Sequence, residues 1–167
     1  MLLAIDAGNT NTVIGLYDGM ELLQPWRVAT NAERTSDELA LLVTQFLNLQ
    51  DIEFDEHIQG VVLSSGVPRV TANLREMTRR YAPQANLVVL EPGTKTGMPI
   101  LYDNPREVGA DRIANAVAAY DLYGGPTIVV DFGTANTIEA ISANGEYLGG
   151  AIFPGIEISL DALFRSE

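Results

Sequence analysis

Asp6-Ala7-Gly8-Asn9-Thr10-Asn11-Thr12 lies between two apolar runs, Leu2 to Ile5 and Val13 to Tyr17. Such a stretch reads as strand, tight turn and returning strand: Gly8 lets the backbone approach closely, and Asn9 and Thr10 supply turn-forming, hydrogen-bonding side chains. The pattern returns in Val130-Asp131-Phe132-Gly133-Thr134-Ala135-Asn136-Thr137-Ile138, with Asp6 over Asp131, Gly8 over Gly133, Asn11 over Asn136 and Thr12 over Thr137. A lone Asp-x-Gly is a common β-turn. Four matched residues at one offset point instead to two related lobes facing each other across a cleft. Glycine with small polar neighbours presents N–H groups and hydroxyls to phosphate oxygens, and an Asp at a strand end holds a hydrated cation or a bridging water. Such a cleft would suit a phosphate chain.

The composition, 47% hydrophobic and 19% charged over 167 residues, is that of a folded chain with a real core, one domain or one and a half. Net charge is −12, and the cations are nine Arg and Lys95. A surface of that sign repels nucleic acid and anionic lipid, so neither is expected as a partner. With so few cations, bound phosphate has to be met by backbone N–H groups, one or two placed Arg and a divalent metal. The absence of Cys excludes disulfides, thiolate catalysis and Cys-ligated zinc. The single His, His57, removes His-based triads, and within Asp55-Glu56-His57 it reads as a solvated surface residue. Leu2 to Ile5 is too short for a signal peptide and lacks its basic start, and no run approaches the ~20 apolar residues of a membrane span. A cytoplasmic protein is the expectation.

Along the chain, Asp18-Gly19 marks a hairpin and Glu21 to Val28 a third strand of the opening meander. Thr35-Ser36-Asp37-Glu38 is a capping box, followed by Leu39, Leu42, Val43, Phe46 and Leu47 at helical spacing. Ile58 to Leu63 reads as a buried strand, and the Ser64-Ser65-Gly66 that ends it as a loop in preference to a cleft wall. Pro68 opens a helix with Val70, Leu74, Met77 and Tyr81 inward, and Leu87 to Leu90 is one more strand. This order is that of a ribonuclease H-like lobe with a mixed sheet flanked by helices.

The stretch from Glu91 to Arg106 has no periodicity, and loops of that length in compact domains generally bind something. It holds Lys95 between Gly93 and Gly97, without Walker A spacing, and Tyr102, equally readable as a ligand contact or as core. Gly109-Ala110-Asp111-Arg112 opens a helix with Ile113, Val117 and Tyr120 inward; Asp111 there complements the helix dipole, and Arg112 adds to an anion-attracting corner. After Gly124-Gly125-Pro126 the meander repeats through Thr127 to Val130, Asn136 to Ser142 and Tyr147 to Ile152, and Pro154-Gly155 begins a helix with Ile156, Leu160, Leu163 and Phe164 inward. The expected fold is therefore α/β, with duplicated lobes and the second incomplete: a first lobe over 1–110, and the start of a second over 111–167, which an equal twin would carry past Glu167.

Asp6-Ala7-Gly8-Asn9-Thr10, Gly109-Ala110-Asp111-Arg112 and Asp131-Phe132-Gly133-Thr134-Ala135, in that order and spacing, closely resemble the type III pantothenate kinases. So do Lys95-Thr96-Gly97, Tyr102-Asp103-Asn104-Pro105 and Gly149-Gly150-Ala151-Ile152-x-Pro154-Gly155. That family belongs to the actin and sugar-kinase ATPase superfamily, whose duplicated ribonuclease H-like lobes agree with the repeat. The resemblance implies ATP-dependent phosphorylation of pantothenate, the first step toward coenzyme A. It implies that Asp6, Ala7, Gly8, Asn9, Thr10, Asn11, Thr12 and Val13 meet ATP, with Asp6 toward magnesium indirectly and Thr134 on the other side. By the same resemblance Asp131 holds a monovalent cation, potassium or ammonium; Tyr102, Gly109, Ala110, Asp111 and Arg112 contact pantothenate; Asp111 accepts the substrate proton; and the protein is a homodimer. An Arg112 fork onto the pantothenate carboxylate would orient it. The family usually has Thr at Asn136 and Asp at Glu139; Asn keeps a polar group there and Glu keeps the charge at longer reach. Another small-molecule kinase of the superfamily, and a non-catalytic nucleotide-binding regulator, are the competing readings.

Overall fold

The computed structural model describes residues 1–91 and 93–165; Pro92 in the irregular stretch, and Ser166 and Glu167 at the end of the expected second lobe, lie outside the described residues. The chain divides into two compact units, Met1–Leu90 and Glu91–Glu167. The irregular stretch from 91 to 110, assigned by sequence to the first lobe, thus groups with the second unit.

In the first unit β1 (Leu2–Ala7), β2 (Asn11–Asp18) and β3 (Glu21–Ala29) form the antiparallel meander. β4 (Gly60–Ser65) and β5 (Asn86–Val89) add parallel strands on the far side of β1, in the order β3-β2-β1-β4-β5. The parallel pairs need crossovers, supplied by helices. The first carries α1 (Ser36–Asn48) and a short α2 (Phe54–His57), and the second is α3 (Pro68–Tyr81). Thr35 caps α1 with the expected box: its hydroxyl accepts from the Glu38 N–H at 3.3 Å while its own N–H donates to Glu38 Oε2 at 2.7 Å. His57 is exposed, closing α2 through its Nδ1, which accepts from the Glu53 N–H. Leu3, Ile5, Ile14 and Leu16 of the sheet bury against Leu39, Val43, Leu47, Leu74 and Met77 of the helices, and Trp26 stacks on Phe46 at 5.3 Å between ring centroids.

Ser64 and Ser65 belong to β4, not to a loop: the parallel ladder carries on to Asp6 opposite Ser64 and Ala7 opposite Ser65. Their hydroxyls suggest a turn when read locally, but the pairing partner is nearly sixty residues away and overrides the local preference.

In the second unit β6 (Thr127–Phe132), β7 (Ala135–Ile141) and β8 (Tyr147–Pro154) form an antiparallel sheet. α4 (Ala110–Tyr123) lies on one face, burying Ile113 and Ala116 against Ile141 and Tyr147. Asp131 is inside β6, one step beyond the strand end expected from sequence. The irregular stretch is tied to the outer edge of β8, where the Leu101 N–H donates to the Tyr147 carbonyl at 2.8 Å and the Tyr147 N–H to the Pro99 carbonyl at 2.9 Å. α5 (Ile156–Arg165) follows β8. Its residues Ile156, Leu160, Leu163 and Phe164, expected inward, are exposed.

Candidate active site

The polar turn of the first unit is built on the β1–β2 hairpin. Asp6 alternates with the core residues Ile5 and Ala7, so its carboxylate emerges on the sheet face opposite to them. The loop is closed by the Gly8 N–H donating to the Asn11 carbonyl at 3.0 Å and by the Thr30 N–H donating to the Thr10 carbonyl at 2.9 Å. Asp6, Gly8, Asn9, Thr10 and Asn11 are exposed; Ala7 and Thr12 are buried, with Thr12 sharing a 2.8 Å hydrogen bond between hydroxyls with Thr30. Ser64, cross-strand from Asp6, is buried, and its hydroxyl has no hydrogen-bond partner among the described residues. An exposed loop of backbone N–H groups and small polar side chains with one carboxylate suits phosphate and a hydrated cation.

The second unit assembles its polar groups on the first turns of α4. Gly109 caps the helix, and Asp111, second in it, is exposed; its Oδ1 accepts the Arg112 N–H at 2.9 Å. Four residues on, and hence on the same helix face, Asn115 donates through Nδ2 to Asp131 Oδ2 at 2.9 Å. One helix face therefore carries the Asp111 carboxylate and a tether to the Asp131 carboxylate. The turn after Asp131 is propped by Gly155, whose N–H donates to the Thr134 carbonyl at 3.1 Å. A Cβ on Gly155 would run into the carbonyl oxygens of Gly133 and Thr134. Thr134 itself is exposed.

Arg112 turns inward. Its Nε donates to Glu139 Oε1 at 2.7 Å and its Nη2 to Glu139 Oε2 at 2.7 Å, and the Tyr147 hydroxyl donates to the same Oε2. The side chain of Arg112 is 8% exposed and that of Glu139 1%. Burial pushes the Glu139 carboxyl up, but the hydrogen bonds from Arg112 and Tyr147 outweigh it and hold the group below the usual carboxylate range. Arg112 is raised, first by its hydrogen bond to Glu139. The Tyr147 phenol is pushed well above its ordinary value by burial and by the carboxylate it serves. One edge of the guanidinium that the resemblance turns toward a substrate carboxylate is thus engaged by Glu139, and Glu139 itself is a buried partner of Arg112. Tyr102 packs into the second core, its ring against Gly149.

Asn115 and Tyr147 were not singled out by sequence, and Ser64 was read as a loop residue in preference to a cleft wall. The i, i+4 spacing from Asp111 marks Asn115; Ser64 and Tyr147 carry no local signal, since both are placed by strand pairing. Among the described residues no group of three or more His, Cys, Asp or Glu gathers as a metal site. No helix of the described chain is long and apolar enough to cross a membrane.

The mixed-sheet α/β architecture places the chain in the fold class of actin-like ATPases and sugar kinases. It is similar to the ethanolamine utilization protein EutJ from Carboxydothermus hydrogenoformans, with a TM-score of 0.54 at 15% identity over 98% of this chain and 56% of that one, a likeness of fold alone. The family model for type III pantothenate kinase matches residues 2–167, and the chain belongs to that family. It is 57% identical over 166 residues to a type III pantothenate kinase of Streptomyces avermitilis and 58% identical over 164 residues to one of Moorella thermoacetica, covering 98% of this chain in each case. It spans 63% and 64% of the lengths of those curated relatives.

Proposed function

We propose that the protein phosphorylates pantothenate from ATP, giving 4'-phosphopantothenate in the first step of coenzyme A biosynthesis. The observation that carries this reading is the α4 face that holds Asp111 exposed and, through Asn115, grips Asp131, in a chain of this family. Asp111 aligns the pantothenate hydroxyl and receives its proton as the hydroxyl oxygen bonds to the γ-phosphorus; the bond from that phosphorus to the β–γ bridging oxygen breaks, and ADP leaves. Phosphoryl transfer depends on positioning and charge neutralisation more than on a strong base, so an ionised Asp suffices. Asp6 to Val13 and Thr134 contact the ATP phosphates; Tyr102 and Gly109 to Arg112 line the pantothenate site.

The donor groups suit the two cations of this reading. Asp6 and Asp131 are exposed carboxylates, and Asn115 engages one oxygen of Asp131, leaving the other for a hard cation; magnesium commonly takes only one or two carboxylates alongside phosphate oxygens. Magnesium near Asp6 and potassium or ammonium at Asp131 would supply the positive charge that a chain with one Lys lacks. The active form is a homodimer and acts in the cytoplasm, without nucleic acid or membrane as partner.

Asp111→Asn in the full-length protein is expected to lower ADP release with pantothenate by about 10²–10⁴-fold, the usual contribution of a positioned base, with the circular dichroism spectrum unchanged. Wild-type turnover by that variant would refute the base assignment. A panel of other alcohol acceptors separates this kinase from its superfamily neighbours, and nucleotide binding without turnover of any acceptor would point to a regulator.

A further inference from the structure

The Arg112–Glu139–Tyr147 cluster is expensive to build. Burying a carboxylate and a guanidinium costs several kcal/mol per ion before their attraction returns any of it, and well-packed apolar side chains in such places are commonly as stable or more so. Counting eight residues on from the aspartate in each hairpin leads to Ile14 in the first unit and Glu139 in the second. Ile14 pairs with Ile5 on the face away from Asp6 and joins an apolar cluster with Leu39 and Val43, whereas Glu139 pairs with Val129 on the face of Asp131, so the repeat does not carry the ion pair and it belongs to the second hairpin alone.

Its surroundings are shaped to admit it. Gly150, opposite Glu139 across β7 and β8, has no side chain; a Cβ there would strike the Ile138 carbonyl oxygen, and would come within 2.6 Å of Glu139 Oε2 and 2.8 Å of Arg112 Nη2. Tyr147 lies in the core with its hydroxyl on the carboxylate. Three elements, α4, β7 and β8, therefore combine to hold one guanidinium flat. That guanidinium belongs to the residue after Asp111, whose carboxylate accepts the Arg112 N–H. With Nε and Nη2 each giving one proton to Glu139, Arg112 keeps the Nη1 protons and the outer Nη2 proton, the end-on edge of the guanidinium, for a ligand.

We propose that Glu139 and Tyr147 are positioning residues of the acceptor site, fixing Arg112 so that its end-on edge and the adjacent Asp111 carboxylate are presented together to a small acceptor that carries its own carboxylate. This rests on the kinase reading above and deepens it: Arg112 meets the acceptor from its end-on edge, as an orienting charge, while its Nε–Nη2 edge serves the protein.

The test is steady-state kinetics on the full-length protein with pantothenate and ATP varied separately, for wild type, Tyr147→Phe, Glu139→Gln and Glu139→Asp. Tyr147→Phe removes one oxygen and keeps the ring. It is expected to raise KM for pantothenate about tenfold with KM for ATP within about twofold of wild type, the split that marks a lost acceptor contact. Glu139→Gln is expected to raise KM for pantothenate further, and Glu139→Asp, which keeps the carboxylate, to recover part of the loss. If Glu139→Gln does not fold, the Tyr147→Phe split decides. Variants that leave the pantothenate KM at its wild-type value, or that raise both KM values in parallel, overturn the proposal. A wild-type protein that turns over no pantothenate removes the kinase reading and this inference with it; wild-type turnover with unmoved variants removes the inference alone.

Discussion

The two hairpins share four residues at one offset and close differently. In the first, Ala7 lies opposite Thr12 and Ile5 opposite Ile14; in the second, Phe132 lies opposite Asn136 and Val130 opposite Ile138. The second register is one residue shorter across the turn. Because side chains alternate along a strand, that single step reverses which residues of the two strands share a face. In the first unit Leu3 and Ile5 share the buried face with Ile14 and Leu16, whereas in the second Ile128, Val130 and Phe132 are exposed and Glu139 lies on the α4 side with Val129. A repeated sequence can thus keep its turn residues and still set both them and its core on different faces.

The largest expected effect breaks the comparison from the first hairpin's side. Ile14→Glu puts at the matched offset the residue that the second hairpin carries, but with no arginine to meet it. An unpaired buried carboxylate should cost more than about 4 kcal/mol. Urea unfolding followed by Trp26, the only tryptophan of the chain, measures it, and a variant as stable as wild type would show that the first site tolerates charge.

Approached from the other hairpin, Glu139→Leu alone strands Arg112 and should cost about 3–5 kcal/mol, while Glu139→Leu with Arg112→Met should return most of the loss. Hydrogen exchange of the β6–β8 amides reads both. A double variant no better than the single would mean that the pair is not replaceable by apolar side chains.

A smaller effect is the dependence on pH. The native Tyr147 phenol is raised, so the stability it contributes is complete below its unfolded pKa of about 10 and falls as the pH rises beyond that toward the native value. Glu139 is lowered, so its contribution is complete above about 4.3 and is lost as the pH falls through the native value. Tyr147→Phe should flatten the alkaline limb of a stability–pH curve and leave the Trp26 signal of the first unit unchanged. An alkaline limb identical to wild type would contradict this.

What could be read from sequence was what is encoded over a few residues. The strands about Asp6 and Asp131, the Thr35 capping box, the Pro68 helix start and the Gly109 opening of α4 all rest on nearest neighbours in the chain. Ser64 was misread because its strand character is conferred by β1, far away in sequence. The expected inward face of α5 had sound periodicity, but periodicity does not reveal whether anything lies against it. At the candidate site, the motifs drew attention to Asp111 and Asp131, one carried by α4 and the other tethered to it. The partner of Arg112 was not recognisable, since Glu139 and Tyr147 reach it through a strand register that differs from the one the repeat suggests.

The same ion pair bears on how the second sheet reaches its native alignment. Were β7 to slide by one position along β6, Glu139 would swing to the opposite side and Arg112 would be entombed without a counter-charge. A misaligned ribbon would thus be penalised as soon as α4 docks, by a stranded charge in addition to the loss of Ile141 from the core that any such slip entails. The cost of sequestering two charges is then also a proofreading step, discarding trapped conformers before they accumulate.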